Sequence, residues 1–323
     1  MSKDMNYFGI DISKDVFDVT DSKGSHHQFK NTLKGFKEFL RLLDNRSHCV
    51  MEATGYYHYQ LAYFLRDNDI NVSVENPLSV KRFIQMKLSK IKTDKSDSKL
   101  ICEYAQQVDL KLWEGHSRHQ IECLQITRLL SVYTKQSTML KNKVHGEEVL
   151  GNPSLFVVRS LKRSLKSTQK EMAILEERLL RLVKQTHQDL LTRLETIPGI
   201  GRKTAIMLIV LTDGFKRFTS ASELCSYSGL TPLIRQSGSS VNARARISKM
   251  GNKKLRNLLF MCSFNACKYN KACRELYERI VAKGKSKKLA LIAVCNKLLK
   301  RAFAIAKSGL IYDETYRSTL VKN

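Results

Sequence analysis

Seven positions between residues 161 and 182 restrict this chain more than any other feature. Leu161, Leu165, Thr168, Met172, Leu175, Leu179 and Leu182 step by four and three in strict alternation. That spacing returns every side chain to one stripe of an α-helix, a heptad seam with a polar interruption at Thr168. A helix with such a seam needs a partner to cover it. A second helical pattern precedes it across Pro153, with Leu129, Val132 and Met139 on one stripe. A helical hairpin within the chain and a dimerising coiled coil satisfy both arms equally.

The first hundred residues follow a different period. Tyr7–Ile12 is rich in β-formers and Val16–Thr20 alternates. Asp21-Ser22-Lys23-Gly24 makes a turn into a third short strand near His27–Phe29. Phe36, Phe39, Leu40 and Leu43 recur at helical spacing. Cys49–Glu52 reads as a buried strand, Tyr59–Leu65 as a helix, and Ile70–Val74 as a strand stopped by Pro77. Three strands followed by helix, strand, helix, strand, helix predict an α/β layer fold with a mixed sheet. The pattern divides the chain into 1–112 (α/β), 113–190 (long helices) and 191–323 (helical and basic).

Charge narrows the function. Lys plus Arg total 56 against 30 Asp plus Glu, a formal charge of +26 over 323 residues. From Val241 onward there are 20 basic and 4 acidic residues. So large an excess repels itself unless a polyanion offsets it, which points to nucleic acid. No signal peptide is expected from the apolar-poor start. The longest apolar runs, such as Ala205–Leu211, are far shorter than the roughly 18 residues that span a bilayer. The eight cysteines form no CxxC pair, and no His follows His187. A zinc site is therefore not expected, and free thiols in a reducing cytosol are.

Three constellations carry the candidate chemistry. In the first, Asp11 interrupts an apolar strand, Glu52 ends another, and Asp94 and Asp97 share one face near a helix start. Each has a plain reading: a turn residue (Asp11), a helix cap (Glu52), charges on a helix dipole (Asp94 and Asp97). Together they suit a pair of divalent ions such as Mg²⁺, which prefers hard oxygens. Two such ions about 4 Å apart activate the nucleophile and the leaving oxygen of a phosphodiester.

The second is Ile197-Pro198-Gly199-Ile200-Gly201-Arg202-Lys203, the pattern of a helix-hairpin-helix turn. Gly199 and Gly201 let backbone amides approach phosphate, and Lys203 adds a point charge. A tight turn without a ligand is the plain reading. The third is Ser237-Gly238-Ser239-Ser240 beside Arg244, Arg246, Lys249, Lys253, Lys254 and Arg256. A serine hydroxyl needs activation to be a nucleophile, and composition alone favours a solvated loop. With no His nearby, neither a Ser-His-Asp hydrolase nor a tyrosine recombinase is expected.

In this order the motifs resemble the DEDD-type transposases of bacterial insertion sequences, a family of bridge-RNA-guided recombinases. Gly9-Ile10-Asp11, Met51-Glu52-Ala53-Thr54-Gly55 and Lys92-Thr93-Asp94-Lys95-Ser96-Asp97 match its amino-terminal domain. Ile197–Gly201, Gly229-Leu230-Thr231-Pro232, Ser237–Ser240 and Ile247–Asn252 match its carboxy-terminal transposase domain. Asn242–Arg246 carries alanines where relatives often have glycine. The resemblance implies a ribonuclease-H-like fold similar to the RuvC resolvase over 1–112. It implies a helical coiled-coil middle that dimerises, and a helical carboxy-terminal domain with a helix-hairpin-helix. It implies Mg²⁺ on Asp11, Glu52, Asp94 and Asp97, and Ser237 as nucleophile, with Ser239 and Ser240 as rivals. The carboxylates and the serine must then meet, within one chain or between two. The implied partners are double-stranded DNA, a structured non-coding guide RNA, and further copies in a dimer or tetramer, in a bacterial cytoplasm at the nucleoid. The runner-up is a RuvC-like nuclease using metal-activated water. A non-catalytic nucleic-acid scaffold is a third reading, which leaves the strand carboxylates unexplained.

Overall fold

Alternate residues of the first strand, β1 (Asn6–Ile12), face opposite sides of a sheet. Phe8, Ile10 and Ile12 enter one apolar layer, and Tyr7 joins another. The computed structural model describes residues 5–53, 55–88, 93–237 and 241–315, with 234–237 and 241–245 described by backbone alone. It divides into two compact units, 1–116 and 117–323. The long helices of the middle region thus belong to the second unit rather than forming a third.

In the first unit β1 is followed by β2 (Val16–Asp21), β3 (His26–Lys30), α1 (Leu33–Leu40), β4 (Ser47–Glu52), α2 (His58–Arg66), β5 (Asn71–Glu75), α3 (Pro77–Met86) and α4 (Asp94–Gln107). The sheet order is β3-β2-β1-β4-β5. The first three strands pair antiparallel, and β1, β4 and β5 run parallel. One face is covered by α1 and α2 through Phe36, Phe39, Leu61 and Leu65. The other is covered by α3 and α4 through Val80, Phe83, Ile101 and Tyr104. Phe17 and Phe39 are fully buried and meet edge to face at 5.6 Å. Each such ring contributes about 1.5–3 kcal/mol by burial alone.

Pro77 does more than stop a strand. It opens α3, with Asn76 accepting from the Leu78 amide at 2.9 Å. Thr93 begins α4 through a reciprocal cap with Ser96. Gly9 sets how closely α4 lies on the sheet. A Cβ at residue 9 would meet the Ser98 carbonyl and the Cys102 backbone, with the Cys102 Cα at 2.7 Å. A Thr20–Ser98 hydroxyl pair at 2.7 Å and a Cys102 thiol donating to the Tyr7 carbonyl at 3.3 Å hold the helix there.

The second unit contains α5 (Arg118–Val149), α6 (Leu155–Glu195), α7 (Arg202–Thr212), α8 (Ala221–Tyr227), β6 (Pro232–Ser237), β7 (Val241–Ile247), α9 (Lys253–Tyr269), α10 (Lys271–Ala282) and α11 (Lys287–Ser308). The two long helices pair with each other as a hairpin. Lys162–Glu148 and Arg178–Glu122 ion pairs, both 2.8 Å, tie its two ends. The heptad seam of α6 is covered, with Thr168, Leu179 and Leu182 buried. On α5 the expected stripe faces the wrong way: Val132 and Met139 are each 57% exposed. The covered line is instead Cys123, Ile126, Thr127, Ser137, Leu140 and Val144. Polar groups are spent internally on that face. Gln120 donates to the Val210 carbonyl at 2.7 Å.

The backbone of α6 breaks at His187 (φ −141°, ψ 32°). There the ring lies against Gly214, whose missing Cβ would come within 2.7 Å of the imidazole. Residues Thr204–Thr212 of α7 are buried on all sides, so this apolar run is a core helix. The expected helical character from 191 onward needs one correction. Pro232–Ser237 and Val241–Ile247 pair as an antiparallel β-ribbon, because the β-branched and apolar residues flanking the Ser-Gly-Ser stretch favour strands.

Candidate active site

Four acidic residues lie level with one another across four strands. Asp11 on β1 pairs with Asp18 on β2, and Glu52 on β4 with Glu75 on β5. Ile10 pairs with Met51, which sets Asp11 and Glu52 at the next level. The order across the sheet is therefore Asp18, Asp11, Glu52, Glu75. Like charges directly opposed on neighbouring strands destabilise a sheet, so this row needs a compensating interaction.

The outer two receive it from the protein. The Asp18 carboxylate is bonded to the His26 ring at 2.9 Å and accepts from the Gln28 amide at 3.2 and 3.3 Å. Glu75 accepts from the Tyr104 hydroxyl at 3.0 Å. Burial and the Glu75 charge push the Tyr104 phenol up to about 12, so it stays a donor. Asp18 and Glu75 were not among the expected site residues. The available signal was an acid between Phe17 and Val19, inside an alternating strand.

Asp11 carries the consequence. Burial, then the charges of Asp97, Asp94, Glu52 and Asp18, raise its carboxyl to about 6. The structure thus brings the influence of all four expected carboxylates to one place. Asp11 lies within a strand and is not a turn residue. Glu52 ends β4 and caps no helix, since α2 starts at His58. Asp94 and Asp97 occupy the first turn of α4, so they complement the helix dipole and add to the acidic cluster at once.

The donor set fits a hard divalent cation: carboxylate oxygens with repulsion to relieve. Among the described residues no three His, Cys, Asp or Glu side chains converge closely enough to encase an ion unaided.

The other candidate residues lie in the second unit. Ser237 ends β6, in register with Val241; Ser239 and Ser240 lie outside the described residues. The base of this ribbon is pinned. The Asn252 amide donates to the Tyr227 carbonyl at 2.7 Å, the Ser248 amide to the Thr231 carbonyl at 2.9 Å, and the Arg256 guanidinium to the Ser228 carbonyl at 2.8 Å. A Cβ at Gly229 would collide with Arg256 and Met250. The motifs Gly229–Pro232 and Ile247–Asn252 are thereby the clamp that holds the strand carrying Ser237.

The basic residues divide. Lys254 reaches the Thr127 carbonyl at 2.8 Å and burial lowers its pKa. Lys254 and Arg256 are partly buried and each makes a protein contact. Arg246, Lys249 and Lys253 are exposed, and Arg244 is described by backbone alone. Lys203 pairs with Glu176 at 2.7 Å on the surface, a contact weak enough to yield to phosphate. Gly199 (φ 105°) packs onto Ala266 of α9, so its role is close packing. Gly201 caps α7 with open space before it.

Two family models match. One described as a DEDD transposase of the IS110 type covers residues 8–148. The other, the IS116/IS110/IS902 transposase family, covers 191–278. A pilin gene-inverting protein of Moraxella lacunata is 30% identical over 97% of this chain and 99% of its own length. The transposase of insertion sequence IS1111A from Coxiella burnetii is 23% identical over 98% of this chain and 92% of its own. With motif order, acidic centre and full-length likeness in agreement, this chain belongs to the IS110 family of DEDD-type transposases, and is a DNA transposase/recombinase.

Proposed function

We propose that the chain breaks and rejoins DNA strands at the ends of an insertion sequence, with Asp11, Glu52, Asp94 and Asp97 holding Mg²⁺ and Ser237 as the attacking group. The observation that carries this reading is the gathering of like charge on Asp11, which a divalent cation relieves. A bound cation supplies polarisation of the scissile phosphate, the activation that a serine hydroxyl lacks. The chain's own contribution is positional. The sheet fixes Asp11 and Glu52 at one level on adjacent strands. The capped start of α4 presents Asp94 and Asp97, and the clamped ribbon base holds Ser237 at a strand end. The sheet order, three antiparallel strands joined to two parallel ones with helices on both faces, supports a ribonuclease-H-like reading of residues 1–112.

Gly201, Arg202 and Lys203 at the start of α7 suit a phosphate in the manner of a helix-hairpin-helix. Arg244, Arg246, Lys249 and Lys253 supply further phosphate contacts, which position DNA without reading sequence. Sequence selection then falls to a structured non-coding RNA paired with both DNA substrates. The chain acts as a dimer or tetramer at the nucleoid. The likeness to a gene-inverting protein favours rejoining over cleavage alone, and so favours a serine–DNA intermediate over metal-activated water.

The test is covalent trapping. Protein, Mg²⁺, the element's RNA and labelled donor and target DNA are quenched in denaturant and resolved on a gel. A DNA-shifted protein band is expected, absent in Ser237→Ala and in Asp11→Ala. Cleaved DNA without that band, at full rate in Ser237→Ala, would leave a water-using nuclease instead.

A further inference from the structure

The last two helices form a hairpin whose root and tip use their positive charge differently. α10 packs against α11. At the root, Lys297 donates to the Ala272 carbonyl and Arg301 to the Asn270 side-chain carbonyl, both at 2.8 Å. Those two cations are spent on the fold. Ala282 and Lys287 lie ten residues further along each helix, roughly 15 Å at 1.5 Å per residue. There the chain turns through Lys283-Gly284-Lys285-Ser286 into Lys287 and Lys288 of α11. The turn is well defined. The Gly284 amide donates to the Val281 carbonyl at 2.9 Å, and the Ser286 hydroxyl accepts from the Leu289 amide at 3.3 Å. Every residue from 282 to 289 is exposed. Among the described residues, none of the four lysines has an ion pair or a side-chain hydrogen bond.

This charge has no counterweight nearby in the chain. Between Glu278 and Asp313 there are nine Lys or Arg and no Asp or Glu. Lys287 and Lys288 stand in the first turn of α11, which holds no acidic residue, at the helix end whose dipole repels cations. Like charges crowded on an exposed tip and set against a dipole lower the stability of the fold, and a polyanion outside the chain offsets them. Its class follows from what the tip lacks. No aromatic lies between Tyr277 and Phe303, and no Arg between Arg279 and Arg301. Recognition of single-stranded RNA stacks bases on aromatic rings and guanidinium planes. Lysine is a compact point charge, suited to phosphate alone. We propose that Lys283, Lys285, Lys287 and Lys288 form a grip on the backbone of duplex DNA, blind to its sequence and additional to the contacts of Lys203, Lys249 and Lys253. This grip does not depend on the roles of Asp11, Glu52 or Ser237.

The experiment is salt-titrated binding of the full chain to a mixed-sequence DNA duplex, without divalent cation so that no strand is cut, with thermal melts beside it. The quartet Lys283→Gln, Lys285→Gln, Lys287→Gln and Lys288→Gln is compared with the unaltered chain. A second quartet, Lys23→Gln, Lys30→Gln, Lys34→Gln and Lys37→Gln, all exposed on the first unit, is the control for net charge. The tip quartet is expected to lower the slope of log affinity against log salt by about 2–4, roughly one per lost phosphate contact. The drop should be the same on duplexes of different sequence, with an unchanged or higher melting temperature. The control quartet should lower the slope by less than about 1. A wild-type slope in the tip quartet would overturn the proposal. An equal drop in the control would also overturn it, because that pattern belongs to net charge. So would a drop on a structured RNA hairpin with none on the duplex. If the tip quartet fails to fold, Lys285→Gln alone still decides, with an expected drop of about 1. Each of these results leaves the reading of Asp11 and Ser237 standing, because covalent trapping tests that separately.

Discussion

Asp11 holds its proton more tightly in the folded chain than in an unfolded one, at about 6 against an ordinary 3.8. A raised acid of this kind contributes stability that is fully present below the unfolded value and is lost as pH rises through the folded one. Metal-free protein is therefore expected to gain melting temperature at neutral pH on Asp11→Asn. The gain should shrink as pH falls through about 6 towards 4. Thermal melts of both proteins across that window check it, and a melting difference independent of pH would contradict it. The same substitution is expected to abolish strand cleavage. Cation affinity of the unaltered chain should weaken below about pH 6, where Asp11 protonates. Gly9 is the other decisive residue. Gly9→Ala forces a methyl into the α4 backbone, an overpacking worth about 1–3 kcal/mol. It should also depress cleavage, since α4 carries Asp94 and Asp97. Urea unfolding and a cleavage assay read the two effects separately.

At the scale of elements, the long hairpin separates what periodicity can show from what it cannot. Leu182→Ala, in the covered seam, is expected to cost about 2–5 kcal/mol. Met139→Ala, on the exposed face of α5, is expected to fall within about 0.5 kcal/mol. Denaturant midpoints distinguish them. The α6 seam was legible because its buried positions are nearly all apolar. The α5 face was not, because Thr127 and Ser137 line it while Val132 and Met139 face out. The strands and helices of the first unit were legible for the same reason as α6: Phe8, Ile10, Ile12 and Phe17, Val19 alternate cleanly. The ribbon of β6 and β7 was hidden by its serines and arginines, which read as loop. The acidic row was half legible. Asp11 and Glu52 stand out against apolar neighbours, but opposition to Asp18 and Glu75 is a matter of register, which no single strand contains.

At the scale of the whole molecule, the +26 charge predicts DNA binding that falls steeply with salt. The basic residues do not contribute alike. Lys253→Ala should lower the salt slope by about 1, as expected for a lost phosphate contact. Lys254→Ala should leave the slope unchanged and lower stability, because its ammonium is bonded to the Thr127 carbonyl. Salt-titrated binding and thermal melts on both proteins separate surface charge from internal charge. The long helix adds a mechanical consequence. From Leu155 to the break at His187, α6 is an arm of roughly 48 Å at 1.5 Å per residue. A rotation of about 10° at that joint sweeps the far end by roughly 8 Å at the same rise. The joint rests on a bare glycine surface at Gly214. Leu179, Leu182 and Val183 before the joint share one core with Leu190, Leu191 and Leu194 after it, so a pull at the hairpin tip is a moment borne by side-chain packing.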